Sequence, residues 1–213
     1  MARIRRAIGA DVAPAAASLA AAFDGDPWIA WVVAGDRHRD RITALQVNLL
    51  GLVGVPHGEV WLAEDEHGQI LGVAVWLLAG REVPPAAWTA VSAREADLMG
   101  DRDAVAAAAA ATRHLRPGHP HHLLASLGVL PAGRRQGLGS ALLAPVVARA
   151  DTAGVDCYLE TSVEGNLRFY GRLGFEVTGH LVVPGGGPPV WSLLRPPKRA
   201  APRGSGATPG ARS

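Results

Sequence analysis

One segment in the second half of the chain restricts its fold more than any other. Residues 121–130 form an apolar run of strand length, residues 131–137 are rich in Gly and Arg, and residues 138–153 are predicted to be helical. A strand that enters a glycine-rich turn and leaves as a helix is a connection typical of α/β domains. The segment therefore predicts an α/β fold.

Strands and helices also alternate along the rest of the chain. Further strands are predicted at residues 3–8, 59–63, 70–78, 155–161, 175–183 and 190–194, and further helices at 11–23, 36–53, 84–99, 101–115 and 166–173. Pro56-His57-Gly58 is expected to end the helix over 36–53. Hairpins at both ends of the chain predict a single domain with a mixed central sheet of about seven strands flanked by helices.

The composition changes after Arg195. Residues 196–213 contain Pro, Gly, Ala, Ser, Thr and four basic residues, and they lack the large apolar side chains that a core needs. We therefore expect a domain over residues 1–195 and a disordered, basic, Pro/Gly/Ala-rich tail over residues 196–213. Without the tail's four basic residues, the 21 basic and 19 acidic residues of the chain become 17 and 19. The basic isoelectric point therefore gives no evidence of a nucleic-acid-binding face.

The apolar runs are too short to cross a membrane. The longest, residues 70–79, has the length of a strand. Arginines followed by the Ala-rich stretch 12–23 resemble a signal peptide, but Asp11 as an N-cap and Pro14 in an early turn fit the start of an amphipathic helix better. We expect a cytoplasmic protein without a membrane partner.

Neither disulfides nor a metal centre are expected. Cys157 is the single cysteine of the chain, which excludes a disulfide scaffold and a zinc site built from several thiolates. His119, His121 and His122 form a poor metal site because neighbouring residues of a strand point to opposite faces.

The glycine-rich turn has the features of a pyrophosphate site. Gly137 and Gly139 let backbone N–H groups come close to a ligand, and a helix that starts at Leu138 adds unpaired N–H donors and the positive end of its dipole. Arg134 and Arg135 stand beside these groups. A glycine-rich turn with solvated arginines would have the same sequence, so the residues alone leave both interpretations open.

A second pattern lies in the helix predicted over residues 166–173. Asn166, Phe169, Tyr170 and Leu173 have the spacing i, i+3, i+4 and i+7, which puts them on one helix face. An amide and a phenol on an otherwise apolar face are either a hydrogen-bonded core pair or part of a site.

Together the two patterns resemble a known superfamily. Residues 134–139, RRQGLG, resemble the Q/R-x-x-G-x-G/A loop of the GCN5-related N-acetyltransferases (GNAT), and residues 166–175, NLRFYGRLGF, resemble their N-x-x-F-Y-x-x-x-G-F segment. The order of the motifs and the strand between them are also similar. Within the superfamily the chain most resembles the puromycin N-acetyltransferases, over residues 3 to about 195. It departs most from them in the helical region around Trp88 and Met99.

The resemblance implies acetyl-CoA as co-substrate and assigns residues to it. The pantetheine arm would pair with the strand before the turn, and the pyrophosphate would lie on the N–H groups of the turn. Tyr170 would protonate the departing thiolate in a direct transfer that does not need Cys157. The implied acetyl-CoA residues are Leu127, Gly128, Val129, Arg134, Arg135, Gln136, Gly137, Leu138, Gly139, Ser140, Asn166, Phe169 and Tyr170.

The residues leave the general base and the acceptor site open. Many superfamily members carry a Glu on the strand before the turn, but Ala125-Ser126-Leu127-Gly128 offers no carboxylate. Glu160 is the main candidate, as a catalytic base or as a structural hydrogen-bond acceptor, and the two histidines at 121 and 122 are others. Asp26, Trp28 and Trp31 would bind a cationic acceptor, unless the two indoles belong to the core.

We therefore predict an acetyl-CoA-dependent N-acetyltransferase. Its acceptor would be a primary amine of a small molecule, such as an aminonucleoside or another amine antibiotic, in resistance or self-protection. Alternatives are an acetyltransferase of protein N-termini or lysines and an acyl-CoA sensor without turnover. Asn166 and Tyr170 speak against the sensor, which needs only the turn. We expect a monomer or homodimer that binds no nucleic acid.

Overall fold

The centre of the molecule is a seven-stranded sheet, as the sequence predicts. The computed structural model describes residues 2–33 and 35–198, and its strands follow the order β1-β2-β3-β4-β5-β7-β6. Neighbouring strands are antiparallel except β4 and β5, which are parallel. The strands are β1 (Arg3–Arg6), β2 (Glu59–Glu64), β3 (Ile70–Leu77), β4 (His121–Val129), β5 (Asp156–Thr161), β6 (Glu176–Val182) and β7 (Pro189–Arg195).

Eight α-helices occur in the described residues and connect these strands. They are α1 (Val12–Ala22), α2 (Pro27–Val32), α3 (His38–Asn48), α4 (Val55–His57), α5 (Pro85–Glu95), α6 (Arg102–Thr112), α7 (Leu138–Ala153) and α8 (Leu167–Arg172). None of them has the length and apolar character needed to cross a membrane. The cytoplasmic location stays a prediction.

Helices pack on both faces of the sheet because the inner strands are apolar on both sides. On one face, Leu142 and Val146 of α7 are fully buried in the cluster that contains Trp76 of β3. On the other face, Leu19 of α1 is buried with Val73 of β3. Each fully buried Leu contributes about 2 kcal/mol of hydrophobic stabilisation. The two clusters fix α1 and α7 on opposite sides of β4, whose end forms part of the site.

The helix predicted over residues 36–53 does not end at Pro56. After α3 the chain continues through a π-helical stretch, Leu49–Gly54, into α4, which ends at His57. Pro56 has no backbone N–H, so this continuous helical run lacks one intrahelical hydrogen bond close to its end. The segment Pro56-His57-Gly58 therefore does end the helix, as predicted, but at His57 and Gly58 and not at Pro56.

Two other local details differ from the prediction. Asp11 precedes α1, but its carboxylate accepts hydrogen bonds from the Ile8 N–H at 2.8 Å and from the Arg5 side chain instead of capping the helix. The short helix α2 was not predicted. Its signal was present in Asp26-Pro27, because Asp is a good N-cap and Pro a good first helical residue.

A buried arginine joins the last strand, β7, to the helix α7. The Arg195 side chain, 2% exposed, donates two hydrogen bonds to Asp151 of α7, at 2.7 and 2.9 Å, and one to the Leu173 carbonyl at 2.9 Å. The backbone N–H of Lys198 also donates to Asp151, at 2.7 Å. Residues 199–213 of the predicted tail lie outside the described residues, so the tail and the domain boundary at 195 stay predictions.

The sheet opens between its two parallel strands. The pairing of β4 with β5 begins at His121–Asp156 and ends at Leu124–Leu159, although β4 continues to Val129. Just beyond the last pair, Ala125 is an extra residue in β4, since Trp76 of β3 is opposite Leu124 and Val75 is opposite Ser126. Such a bulge bends a strand and increases its twist. The end of β4 therefore lacks a strand partner on its β5 side within the described chain.

Candidate active site

The opening between β4 and β5 leads into two pockets. The first, the turn pocket, has a volume of about 710 Å³ and lies over the turn that precedes α7 and the first residues of that helix. The second, the β5 pocket, has a volume of about 360 Å³ and lies among α2, α3, β4 and β5. Five residues line both pockets, and we call them the throat: Phe23, Asp26, Leu127, Asn166 and Tyr170.

Two features of the backbone shape the turn pocket. Gly137 precedes α7 with φ 77°, in the left-handed region that glycine adopts without strain. Gly139 lies against an aromatic ring, since a Cβ atom added to it would be 3.0 Å from Cζ of Phe169. The pocket is therefore lined by the first residues of α7, whose N–H groups have no intrahelical partners.

The charges around the turn pocket suit a polyphosphate. Three arginines, Arg134, Arg135 and Arg172, line it together with two acids, Asp26 of the throat and Asp24, which pairs with Arg39 at 3.1 Å. The guanidinium of Arg134 donates to the Val129 carbonyl at 3.3 Å and to the Ala22 carbonyl at 3.5 Å. It thus joins the end of β4 to the end of α1 beside the pocket. The positive side chains and the N-terminus of α7 together favour bound anionic groups.

Tyr170 lies at the centre of the throat. Its side chain is 6% exposed, and its ring makes edge contacts with Phe169 and Phe175 at centroid distances of 5.0 and 5.8 Å. Burial raises the pKa of Tyr170 above its usual range, and the negative charge of Asp26 raises it further. The phenol therefore keeps its proton at neutral pH and is available as a donor. Asn166 is held nearby by a hydrogen bond from its amide to Thr161 Oγ1 at 3.2 Å.

Asp26 caps the helix that borders the throat. Its Oδ1 atom accepts hydrogen bonds from the backbone N–H groups of Trp28 at 3.0 Å and Ile29 at 3.1 Å. The Ser162 hydroxyl donates to the same oxygen at 3.4 Å. The cap also sets the direction of α2, which places Trp28 in the wall of the β5 pocket.

Glu160 is held by two neighbours in the β5 pocket. Its Oε1 atom accepts a hydrogen bond from the Tyr158 hydroxyl at 2.9 Å and one from Nε of Arg116 at 3.2 Å. Burial, followed by the charge of Glu160, raises the pKa of Tyr158 above its usual range, so this phenol remains a donor. This arrangement fits the alternative in which Glu160 is a hydrogen-bond acceptor.

The class of enzyme follows from the similarity of the chain to a protein family. The model of the Acetyltransferase (GNAT) family matches residues 22–175. The matched residues include the throat and the strands β4 and β5. The chain belongs to the GNAT acetyltransferase family. It is an acetyl-CoA-dependent N-acyltransferase, and acetyl-CoA is its co-substrate. The turn pocket fits that co-substrate by its cationic lining and by the unpaired N–H groups at the start of α7.

Solved structures agree with the GNAT fold. A Corynebacterium glutamicum protein described as histone acetyltransferase HPA2 and related acetyltransferase is 25% identical, with a TM-score of 0.73 and coverage of 93% of this chain and 98% of that one. A Sinorhizobium meliloti phosphinothricin acetyltransferase in complex with AcCoA is 17% identical, with a TM-score of 0.52 and coverage of 92% and 88%. The Escherichia coli ribosomal-protein-S18-alanine N-acetyltransferase is 17% identical, with a TM-score of 0.54 and coverage of 95% and 98%.

These matches do not show which acceptor the enzyme uses or how many subunits it has. At 17% identity the last two structures show the GNAT fold and nothing further about this enzyme. The closer similarity to puromycin N-acetyltransferases is not confirmed, and the oligomeric state stays a prediction.

Most of the predicted GNAT site residues lie together around the throat. Apart from Tyr170, Asn166 and Leu127 in the throat itself, the turn pocket is lined by Gly128, Val129, Arg134, Arg135, Gly137, Leu138, Gly139, Ser140 and Phe169. Gln136 lies outside both pockets, where its amide donates to the Ala132 carbonyl at 2.7 Å. Trp31 also lies outside them and packs beside Val183 and Val190.

The two histidines considered as bases line neither pocket. His122 is buried, and its Nδ1 accepts a hydrogen bond from the Ala79 N–H at 3.0 Å. Burial also lowers the pKa of His122. His121 Nδ1 lies 2.8 Å from the His119 carbonyl, at the start of β4. Both rings are therefore remote from the throat of this GNAT enzyme.

Several residues of the β5 pocket were not predicted from the sequence. Phe23, Arg116 and Ser126 line it, and so does Gln46 of α3. Gln46 is 6% exposed, and its Oε1 atom has no hydrogen-bond partner in the described part of the chain. One signal could have identified Gln46, since it is a polar residue on the helix face formed by Ile42, Leu45 and Leu49.

Proposed function

We propose that this enzyme acetylates a primary amine of a small molecule, such as an aminonucleoside or another amine antibiotic, in resistance or self-protection. The β5 pocket carries the proposal. Its volume of about 360 Å³ lies within the range of about 300–1,000 Å³ that is usual for small-molecule sites. Its position next to the throat would bring a bound amine to the end of the acetyl-CoA site.

The walls of the β5 pocket support a small acceptor. Trp28 of α2, Gln46 of α3, Ser126 of β4 and Glu160 of β5 come from four separate elements around one space. A protein lysine or N-terminus would need a groove that accommodates the chain on either side of the reacting residue. A pocket bounded on several sides suits a compact molecule better.

The charges of the β5 pocket support a cationic acceptor. Asp26 and Glu160 contribute two carboxylates, and Arg116 contributes one guanidinium at the rim. An aliphatic amine is protonated in neutral solution, so the carboxylates attract it, and the indole of Trp28 offers a further favourable surface for a cation. Arg116 retains donors beyond the one that pairs with Glu160, which suit an oxygen acceptor elsewhere on the same molecule.

The proposed reaction takes place in the throat. The bound ammonium first loses one proton to water, the neutral nitrogen then attacks the thioester carbonyl carbon, a C–N bond forms, and the C–S bond breaks. Tyr170 gives its proton to the departing sulfur, a role that its raised pKa supports because the phenol remains protonated. Backbone N–H groups near Leu127–Val129, on the unpaired side of β4, would stabilise the charge that develops on the carbonyl oxygen. We assign the acetyl-CoA residues implied by the resemblance to the turn pocket, except Gln136.

A thiol-release assay with acetyl-CoA tests the proposal. The panel contains puromycin, other small primary amines, a lysine peptide and a peptide with a free N-terminus. We expect release of free CoA with at least one small amine and none above background with the peptides. Trp28→Ala should then raise KM for the active amine, with Trp88→Ala, an exposed indole of α5, as the matched control. Turnover with the peptides alone would contradict the proposal.

A further inference from the structure

Among the acids near the two pockets, Asp26 lies where the pockets meet. Of the five throat residues, which line both pockets, it is the one with a carboxylate. The throat is where the acceptor nitrogen must meet the thioester, because the two substrates occupy the pockets on either side. A group that takes a proton from that nitrogen has to reach this point.

The two oxygens of Asp26 have different surroundings. Oδ1 accepts all three of the hydrogen bonds described above, from two backbone N–H groups and from Ser162. Within residues 2–33 and 35–198, no group donates to Oδ2 and no cation lies within 4 Å of the carboxylate. The cap therefore fixes the carboxylate through one oxygen and leaves the other oxygen free.

Other acids near the pockets are less suitable. Glu160 lines the β5 pocket but not the throat, and Arg116 and Tyr158 both donate to it. Asp24 lines the turn pocket but is exposed and paired with Arg39. Asp26 is thus the carboxylate in this region that is both near the reacting atoms and without a cationic partner among the described residues.

We propose that Asp26 is the catalytic base, and that its Oδ2 atom takes the proton from the acceptor nitrogen as the C–N bond forms. This inference rests on the proposed function. The nitrogen lone pair makes the C–N bond, the C–S electron pair goes to sulfur, and sulfur takes the Tyr170 proton. The nitrogen gives its proton to Asp26. Protonated Asp26 then returns that proton to the Tyr170 phenolate, which restores both residues.

The charge of Asp26 already acts on Tyr170, since it contributes to the raised pKa of the phenol. Once Asp26 is protonated this contribution disappears, so the phenol gives up its proton more easily at the moment when sulfur needs it. Other charged groups also line the two pockets: Glu160 and Arg116 in the β5 pocket, and Asp24, Arg134, Arg135 and Arg172 in the turn pocket.

Asp26→Asn tests the base without removing the cap. Asn caps helices about as well as Asp, so its carbonyl oxygen can still accept from the Trp28 and Ile29 N–H groups. We expect kcat to fall about 100-fold or more, while the Kd of acetyl-CoA measured by calorimetry stays within about threefold.

Asp101→Asn is the matched control. Asp101 caps α6 by accepting from the Ala104 N–H at 2.9 Å and lines neither pocket. This variant should keep the wild-type kcat and pH profile. Glu160→Gln should keep kcat within a few-fold of the wild type while it raises the acceptor KM.

Three results would overturn the assignment. They are a wild-type kcat in Asp26→Asn, a loss of activity that follows an equal loss of acetyl-CoA affinity, and a fall in kcat of Glu160→Gln as large as the fall expected for Asp26→Asn. The proposed function fails in a different way, because wild-type enzyme would then turn over peptides and no small amine. In that case the same variants test Asp26 with the active peptide. Absence of turnover with every amine would overturn both proposals.

Discussion

Gly139 lies directly against the ring of Phe169, where an added Cβ atom would be 3.0 Å from Cζ. Phe169 in turn contacts Tyr170 at a centroid distance of 5.0 Å. We predict that Gly139→Val displaces the Phe169 ring, weakens acetyl-CoA binding at least about tenfold and lowers kcat, because overpacking forces neighbouring side chains to move. Calorimetry and steady-state kinetics measure the two effects. Gly171→Val is the control, since a Cβ atom at Gly171 has no neighbour within 4 Å. Unchanged affinity in Gly139→Val would contradict the prediction.

Gly137 allows a separate test of the turn, through its backbone conformation. Its φ of 77° is close to the 68° of Gly154 at the other end of α7, and a Cβ atom would have free space at both positions. An alanine at either position should cost about 1–2 kcal/mol of unfolding free energy, because the left-handed conformation is unfavourable for it. Only Gly137→Ala should also weaken acetyl-CoA binding. Denaturant unfolding and calorimetry on both variants separate the shared stability cost from the binding effect, and equal affinities would remove the turn from the binding site.

Tyr170→Phe should reduce kcat about 100-fold or more, since it removes the proposed proton donor. The Kd of acetyl-CoA should remain near the wild-type value, because the ring and its packing are retained. The raised pKa of Tyr170 means that the phenol stays protonated through neutral pH, so its ionisation should not limit kcat there. Tyr158→Phe removes the other tyrosine hydroxyl of the chain and should leave kcat within a few-fold of the wild type. A fully active Tyr170→Phe enzyme would exclude the acid role.

Asp151→Asn should destabilise the protein by about 3 kcal/mol, because it leaves the buried Arg195 guanidinium without its charge partner. The hydrogen bonds from Arg195 lower the pKa of Asp151 below its usual value. This pair therefore stabilises the fold above the ordinary carboxyl pKa of about 4, and the contribution is lost as pH falls through the lowered value. The difference in unfolding free energy between wild type and variant should shrink in acid. Asp36→Asn, which removes an exposed partner of Arg41, should cost less than about 1 kcal/mol at any pH.

The sequence predicts elements well where the signal is local. The bounds predicted for α7, 138 and 153, agree with the structure because Gly137 and Gly154 both mark its ends. The β2–β3 hairpin follows from two apolar runs around a polar turn. The π-helical geometry of residues 49–54 was not predicted, because it has no sequence signal that we used.

The candidate active site likewise has a part that the sequence predicts and a part that it does not. The turn pocket is built largely from one continuous segment, so its residues can be recognised from two motifs. The β5 pocket joins Phe23, Gln46, Arg116 and Ser162, which are far apart in the sequence and meet only after folding. For the same reason the sequence could not separate Trp28, which lines this pocket, from Trp31, which packs behind it. Nor could it show that the pairing of β4 with β5 stops after Leu124.

That early end of pairing divides the sheet into two wings, β1–β4 and β5–β7, which meet along a seam of four residue pairs. Beyond the seam, the backbone groups on the β5 side of β4 have no strand partner among the described residues. A substrate arm that lies along β4 would supply partners for them and would connect the wings at their open end. Acetyl-CoA should therefore stabilise the fold as well as donate the acetyl group. It should raise Tm as its concentration increases, and it should slow amide exchange in both wings.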